Sequence, residues 1–249
     1  MRLSKWLSGS TESIVVYVFV LVLVVQTIYP ITIGDSAISY FIYNGMYALL
    51  IISGVLVSRN SPRLMRFALI IGFLWLITGF IVPFIYNPDE INLGYFPGFV
   101  MIGLFQLVVM QVLFTYIFSA ELVSRGILLA AISVYLLLGG FFGVLFGILE
   151  ASTFLLTGQN AFIDSGMGVT GSITPWQTTL YYSYATLTTL GYGDVLPVSA
   201  WARSLASVEA IVGVMYTIII MARLVGIYVS DKDRKVIQGV TQHTGQTHL

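Results

Sequence analysis

The run Pro175-Trp176-Gln177-Thr178-Thr179-Leu180-Tyr181-Tyr182-Ser183-Tyr184-Ala185-Thr186-Leu187-Thr188-Thr189-Leu190-Gly191-Tyr192-Gly193-Asp194 decides the fold of this chain. Its first part, Pro175 to Leu187, is apolar but short, and a bilayer crossing takes about 20 residues of helix. Pro175 suits the first helical position and Thr174 the capping position before it. The second part, Thr188 to Asp194, carries two glycines and cannot continue the helix. Long apolar runs flank the whole stretch, at Ile127–Leu149 and Ser204–Val229. A short helix that enters the bilayer and turns back as an extended segment is a re-entrant loop. Non-helical backbone is tolerated at that depth only where it is buried in protein or lines an aqueous path.

Four more apolar runs lie upstream, near Ile14–Ile33, Ala37–Val57, Leu64–Tyr86 and Phe96–Ser119. The expectation is an all-α membrane protein with six transmembrane helices, a re-entrant pore helix and a filter loop. The runs are continuous rather than alternating, which excludes a β-barrel. The first run is too long for a cleaved signal and reads as a retained helix. Arg2, Lys5, Arg59, Arg63, Arg66, Arg125, Lys232, Arg234 and Lys235 all fall on one side of a six-span topology. Asp35, Asp89, Glu90 and Asp164 fall on the other. Lys and Arg mark cytoplasmic loops, so both termini are expected in the cytoplasm and the chain in the plasma membrane.

Composition agrees. The 249 residues are 57% hydrophobic and 9% charged, with zero formal net charge, and mean hydropathy is +0.93. A soluble domain carries roughly a quarter charged residues, so the solvent here is lipid. A neutral chain offers no general attraction for nucleic acid. With no cysteine, disulfides and thiolate chemistry are excluded. His243 and His248 lie in the tail, and neither a phosphate loop nor a nucleophile paired with a base is found. An enzyme is not expected, nor a cofactor.

Pro175–Gly213 resembles the potassium-channel superfamily, in its six-helix, single-pore-loop branch. Thr189-Leu190-Gly191-Tyr192-Gly193-Asp194 reads as the family's Thr-Val-Gly-Tyr-Gly-Asp filter with Leu190 in place of Val. The resemblance implies a potassium-selective pore in a homotetramer, since one loop per chain cannot close a ring. Thr188 to Gly193 form the filter, and K+ is held by oxygens of Thr189, Leu190, Gly191 and Tyr192 in place of its lost water. Carbonyls that all face one axis require alternating left- and right-handed backbone, which Gly191 and Gly193 permit. Tyr181 and Tyr182 stand where the family has a pair of tryptophans forming an aromatic cuff. Asp194 is expected to brace the filter through Tyr182. Glu150, in Leu-Glu-Ala, matches a glutamate that in relatives braces the outer end of the last helix. Gly213 falls at the family's inner-helix hinge.

The domain division that follows is a four-helix bundle over 1–122, a pore module over 123–230 and a short cytoplasmic tail over 231–249. The bundle resembles a voltage sensor, but Phe96–Ser119 carries neither Arg nor Lys. Without gating charges, each worth about 2.3 kcal/mol per 100 mV, no steep voltage dependence is expected. Val214, Thr217, Met221 and Val225 keep to one helical stripe expected to line the cavity. Val225 and Val229 are expected to form a hydrophobic constriction. Glu209 lies at membrane depth, where a lone charge costs several kcal/mol. It reads either as a group behind the filter bonded to the pore helix, or as an outer-end glutamate that is protonated or paired with Arg203. The competing functions are a weakly selective cation channel, a non-conducting subunit of a mixed channel, and the membrane subunit of an ion-uptake transporter.

Overall fold

The computed structural model describes residues 37–85, 95–166 and 173–246, together with Phe19, Val20 and Val24. The first expected span, Ile14–Ile33, lies outside the described residues except at those three positions. Six helices follow: α1 (Ala37–Val57), α2 (Pro62–Ile85), α3 (Tyr95–Phe118), α4 (Arg125–Thr157), α5 (Trp176–Leu187) and α6 (Ala200–Gln246). Two short strands, β1 (Phe162–Asp164) and β2 (Val195–Pro197), pair antiparallel with Ile163 opposite Leu196. This ribbon departs from the all-α expectation. Its cause is local: the segments before and after the filter run side by side, and their backbone groups satisfy one another.

Among the described residues, three helical stretches are long and apolar enough to cross a membrane: Phe96–Phe118, Arg125–Thr157 and Ala200–Ser230. α1 adds a shorter apolar stretch, Asn44–Val57. α4 extends two turns beyond its expected end at Leu149. α6 runs without a break from Ala200 to Gln246, through the polar residues expected to form a separate tail.

Phe105, Val109, Leu113 and Ile117 repeat every fourth residue along α3 and are buried. They belong to one apolar core with Ile127, Ala130, Val134 and Leu137 of α4. Trp75, in the middle of α2, is also in this core, stacked on Tyr47 of α1 with ring centroids 5.0 Å apart. That position rules out interfacial anchoring by Trp75. Tyr47 in turn meets Trp176, at the start of α5, edge to face at 6.3 Å.

The close approach of α4 and α5 is written in a ladder of glycines. Gly139, Gly143 and Gly147 recur every fourth residue on one α4 face, the spacing that lets membrane helices come together. A Cβ on Gly143 would stand 3.0 Å from the Leu180 Cα, and one on Gly139 would enter the Tyr184 ring. The missing side chains expose α4 carbonyls to α5 hydroxyls. Ser183 donates to Gly139 O at 2.7 Å, and the Thr179 hydroxyl lies 3.3 Å from Gly143 O, with Trp176 O its nearer acceptor at 2.9 Å. Thr179 and Ser183 are one helical turn apart, so the two sets of positions interlock.

Candidate functional site

Four consecutive amides beyond α5 turn back on its C-terminal carbonyls. Thr188 N donates to Tyr184 O at 3.0 Å and Thr189 N to Thr186 O at 3.0 Å. Leu190 N and Gly191 N share Ala185 O at 2.9 and 3.1 Å. The end of a helix leaves carbonyls in need of donors, and this segment supplies them. No peptide bond here is cis. In a planar trans peptide the C=O points opposite to the next N–H. The carbonyls of Thr188, Thr189 and Leu190 are therefore all directed away from the end of α5.

Backbone handedness alternates over the same stretch. Thr189, Gly191 and Gly193 have positive φ, at 61°, 56° and 76°, and Leu190 and Tyr192 do not. The two glycines accept this freely. Thr189 does not, and a non-glycine residue in that region costs roughly 1–2 kcal/mol. The alternation is present, but it begins at Thr189, two residues before the first of the glycines that announce it. Thr188 to Asp194 are all exposed in the single chain.

The outer end of the loop is fastened by Asp194. Tyr181 donates its hydroxyl to Asp194 Oδ2 at 2.7 Å. This corrects the expectation that Tyr182 would do so. Tyr182 is buried instead among Phe146 and Phe162, with centroids at 5.1 and 5.0 Å. Adjacent helical residues point about 100° apart, so one tyrosine reaches the filter exit and the other the core. The Asp194 carbonyl also accepts from the Ser165 amide and hydroxyl, both at 2.8 Å.

Glu150 is fully buried and clamps the start of α5 to the loop before it. Oε1 accepts from Asn160 Nδ2 at 2.6 Å and Thr174 N at 2.9 Å. Oε2 accepts from Ala161 N at 2.7 Å and Phe162 N at 3.1 Å. The glutamate thus holds the start of α5, where the resemblance had it bracing the outer end of the last helix. It also displaces the expected cap. Pro175 itself occupies the N-cap position without a side-chain bond, while the Thr174 amide is drawn to the carboxylate, a stronger acceptor than a neutral oxygen.

Glu209 is fully buried behind α5, with Oε1 hydrogen-bonded to Ser183 Oγ and Oε2 meeting no partner among the described residues. Of the two sequence readings, this geometry matches the one that bonds it to the pore helix. Arg203 donates its Nε to Pro197 O at 3.1 Å. Gly213 is buried where α6 passes the base of the filter. A Cβ there would lie 2.7 Å from Leu187 Cδ1 and 2.9 Å from Leu187 O. Val214, Thr217, Met221, Val225 and Val229 all lie on the exposed side of α6. Two features escape hydropathy. One is the glycine ladder of α4, readable only from its spacing of four. The other is Arg223, which donates from Nη2 to Phe118 O at 2.9 Å and Ala120 O at 3.1 Å.

A buried short helix, a loop of outward-turned carbonyls and flanking apolar helices are features of a membrane protein. Residues 130–230 match a protein-family model described as an ion channel. The matched stretch spans most of α4, the whole of α5, the filter-like loop and the apolar part of α6. It supports ion-channel function in a membrane and points to a transport protein, not an enzyme. No curated protein and no solved structure shows a match.

Proposed function

We propose that this chain is one subunit of a potassium-selective channel, a homotetramer in which four copies of Thr188 to Gly193 surround the ion path. The observation that carries the reading is the outward alignment of the Thr188, Thr189 and Leu190 carbonyls, with backbone handedness alternating from Thr189 to Gly193. Carbonyl oxygens so directed, from four chains, replace the water that a K+ ion sheds. The ion is the permeant species, and no cofactor is called for.

The assembly is supported by what one chain leaves uncovered. Only 17% of the apolar stretch of α6 is buried, against 61% in α4. Four chains around an axis would cover one face of α6 and leave Val214, Thr217, Met221 and Val225 on the cavity. Val225 and Val229 then form the hydrophobic constriction near the cytoplasmic end. Six spans per chain, cytoplasmic termini and a plasma-membrane location complete the proposal. The bundle before residue 123 lacks gating charges in α3, so conduction is not steeply voltage-dependent.

The test is ion flux from liposomes holding the purified protein, with Gly191→Asp as the inactive control. Barium-sensitive flux favouring K+ over Na+ by about a hundredfold is the expected result for a carbonyl filter. Flux without selectivity would replace the proposal by a weakly selective cation channel. Silence of the wild type alone, restored by a second subunit, would make the chain a subunit of a mixed channel.

A further inference from the structure

Ser183 Oγ lies 2.7 Å from the carbonyl oxygen of Gly139 and also forms a hydrogen bond with Glu209 Oε1. Both neighbours are oxygens. A serine hydroxyl carries one hydrogen, so it can donate to only one of them. The other contact needs a hydrogen from the partner. The Gly139 carbonyl has none. A carboxyl group has one in its acid form.

The surroundings agree with that assignment. Glu209 Oε2 is buried and meets no donor among the described residues. A carboxylate oxygen in that place is an uncompensated buried charge, whereas the C=O of an acid is a neutral polar atom whose burial costs far less. Arg203 is turned to the Pro197 carbonyl. The titratable groups whose fields reach Glu209 are Tyr135, Tyr182 and Tyr184. Tyr135 donates to Leu187 O at 3.1 Å and Tyr184 to Leu136 O at 3.0 Å, so neither hydroxyl hydrogen is turned to the carboxyl.

We propose that Glu209 is a positioning residue of the filter whose carboxyl group, in its acid form, donates to Ser183 while Ser183 donates to Gly139. Two hydrogen bonds in series then tie α6 to α5 and α5 to α4. Ser183 stands two residues before Ala185, whose carbonyl holds the amides of Leu190 and Gly191. The relay fixes the depth and rotation of α5, and with them the backbone that presents the filter carbonyls. This inference rests on the channel reading above.

The test compares wild type with Glu209→Gln, Glu209→Ala, Ser183→Ala and the Glu209→Ala/Ser183→Ala double variant. The readouts are K+ and Na+ flux, tetramer recovery in detergent, and the infrared spectrum at neutral pH. The amide N–H of Gln replaces the acid as donor, so Glu209→Gln keeps flux and ion preference within about twofold, while either Ala variant loses about tenfold, the scale of one buried hydrogen bond. The double variant loses no more than the worse single one, as coupled residues do. Wild type shows a carboxylic-acid C=O band that Glu209→Gln lacks. A missing band, a Glu209→Gln protein as impaired as Glu209→Ala, wild-type flux in Glu209→Ala, or additive losses would each overturn the assignment. Absence of selective flux in wild type would instead strike the channel reading, and the infrared band still decides the state of Glu209.

Discussion

The Tyr181 hydroxyl donates to Asp194 Oδ2 at 2.7 Å, joining the pore helix to the residue that follows the last filter glycine. That bond holds the Asp194 carboxyl below the ordinary carboxylate range, against the opposing effect of burial and with help from the backbone amides of Asp194 and Val195. A depressed carboxylate stabilises the fold above its unfolded value, near 3.9 for Asp, and the contribution is lost as pH falls through the folded value. Tyr181→Phe removes the largest cause. Its acid limit for K+ flux is expected to move upward, toward the ordinary carboxylate range, with the neutral-pH ion preference retained. Flux measured against pH on the outer side checks this, and coincident acid limbs would show that the bond does not hold the loop.

Glu150 accepts four hydrogen bonds in a site closed to water. Removing it strands the amides of Ala161, Phe162 and Thr174, and each unsatisfied buried donor costs about 1–3 kcal/mol. Glu150→Ala is expected to lower stability by at least about 3 kcal/mol on that scale and to reduce assembly. Glu150→Gln is expected to fall between, because its NH2 end faces donors. Thermal unfolding in detergent separates the three proteins. Equal midpoints would mean that the clamp adds nothing to stability.

The loop after α5 was legible because its backbone demands are local. Gly191 and Gly193 announce positive φ, and the short run from Pro175 to Leu187 announces a helix that cannot cross. Three of the six apolar runs are helices long enough to cross a membrane, and the run expected at Ala37–Val57 is a helix ending at Val57. What was not legible depends on which face of a helix meets which neighbour. Tyr181 and Tyr182 are adjacent and alike, and only the rotation of α5 assigns one to Asp194 and the other to Phe146 and Phe162. Glu150 sits in a motif that suggests one partner, and its actual partners are the Asn160 side chain and three backbone amides, which carry no sequence signature. The β1–β2 ribbon was missed because three-residue strands leave no periodicity.

Gly213 and Gly226 lie on the same helix and differ in surroundings. A Cβ at Gly213 meets Leu187 on both side chain and backbone, while one at Gly226 meets nothing within 4 Å. Gly213→Ala must push the Leu187 carbonyl, which also accepts from Tyr135. Overpacking of this kind costs about 1–3 kcal/mol. Gly213→Ala is therefore expected to lower thermal stability and K+ flux together, and Gly226→Ala to leave both near wild type. A pure hinge at Gly213 predicts altered opening with unchanged stability, so the melting curve discriminates between close packing and hinge.

Arg223 ties α6 to the end of α3. Its Nη2 reaches Phe118 O and Ala120 O, at the C-terminal end of α3. The last carbonyls of a helix lack internal partners and carry the negative end of its dipole, so a guanidinium is suited to both needs. Hydropathy conceals this role, because one arginine near the end of a long apolar helix reads as a flanking charge. Replacing it by Gln removes the cation and its fork of donors. The expected loss is about 1–3 kcal/mol, the value of hydrogen bonds to a charged group. Arg223→Lys keeps the charge but not the fork and is expected to retain part of it. Spin labels on α3 and α6 should report a longer and broader distance in Arg223→Gln. Val225 and Val229 follow within two turns, so the same variant should change the fraction of open channels. The K+/Na+ ratio should stay constant, because the filter is fastened separately, through Ala185 and Asp194. A changed ion ratio would show that the two ends of α6 do not act independently. An unchanged distance would show that the bundle and the pore are held by apolar packing alone.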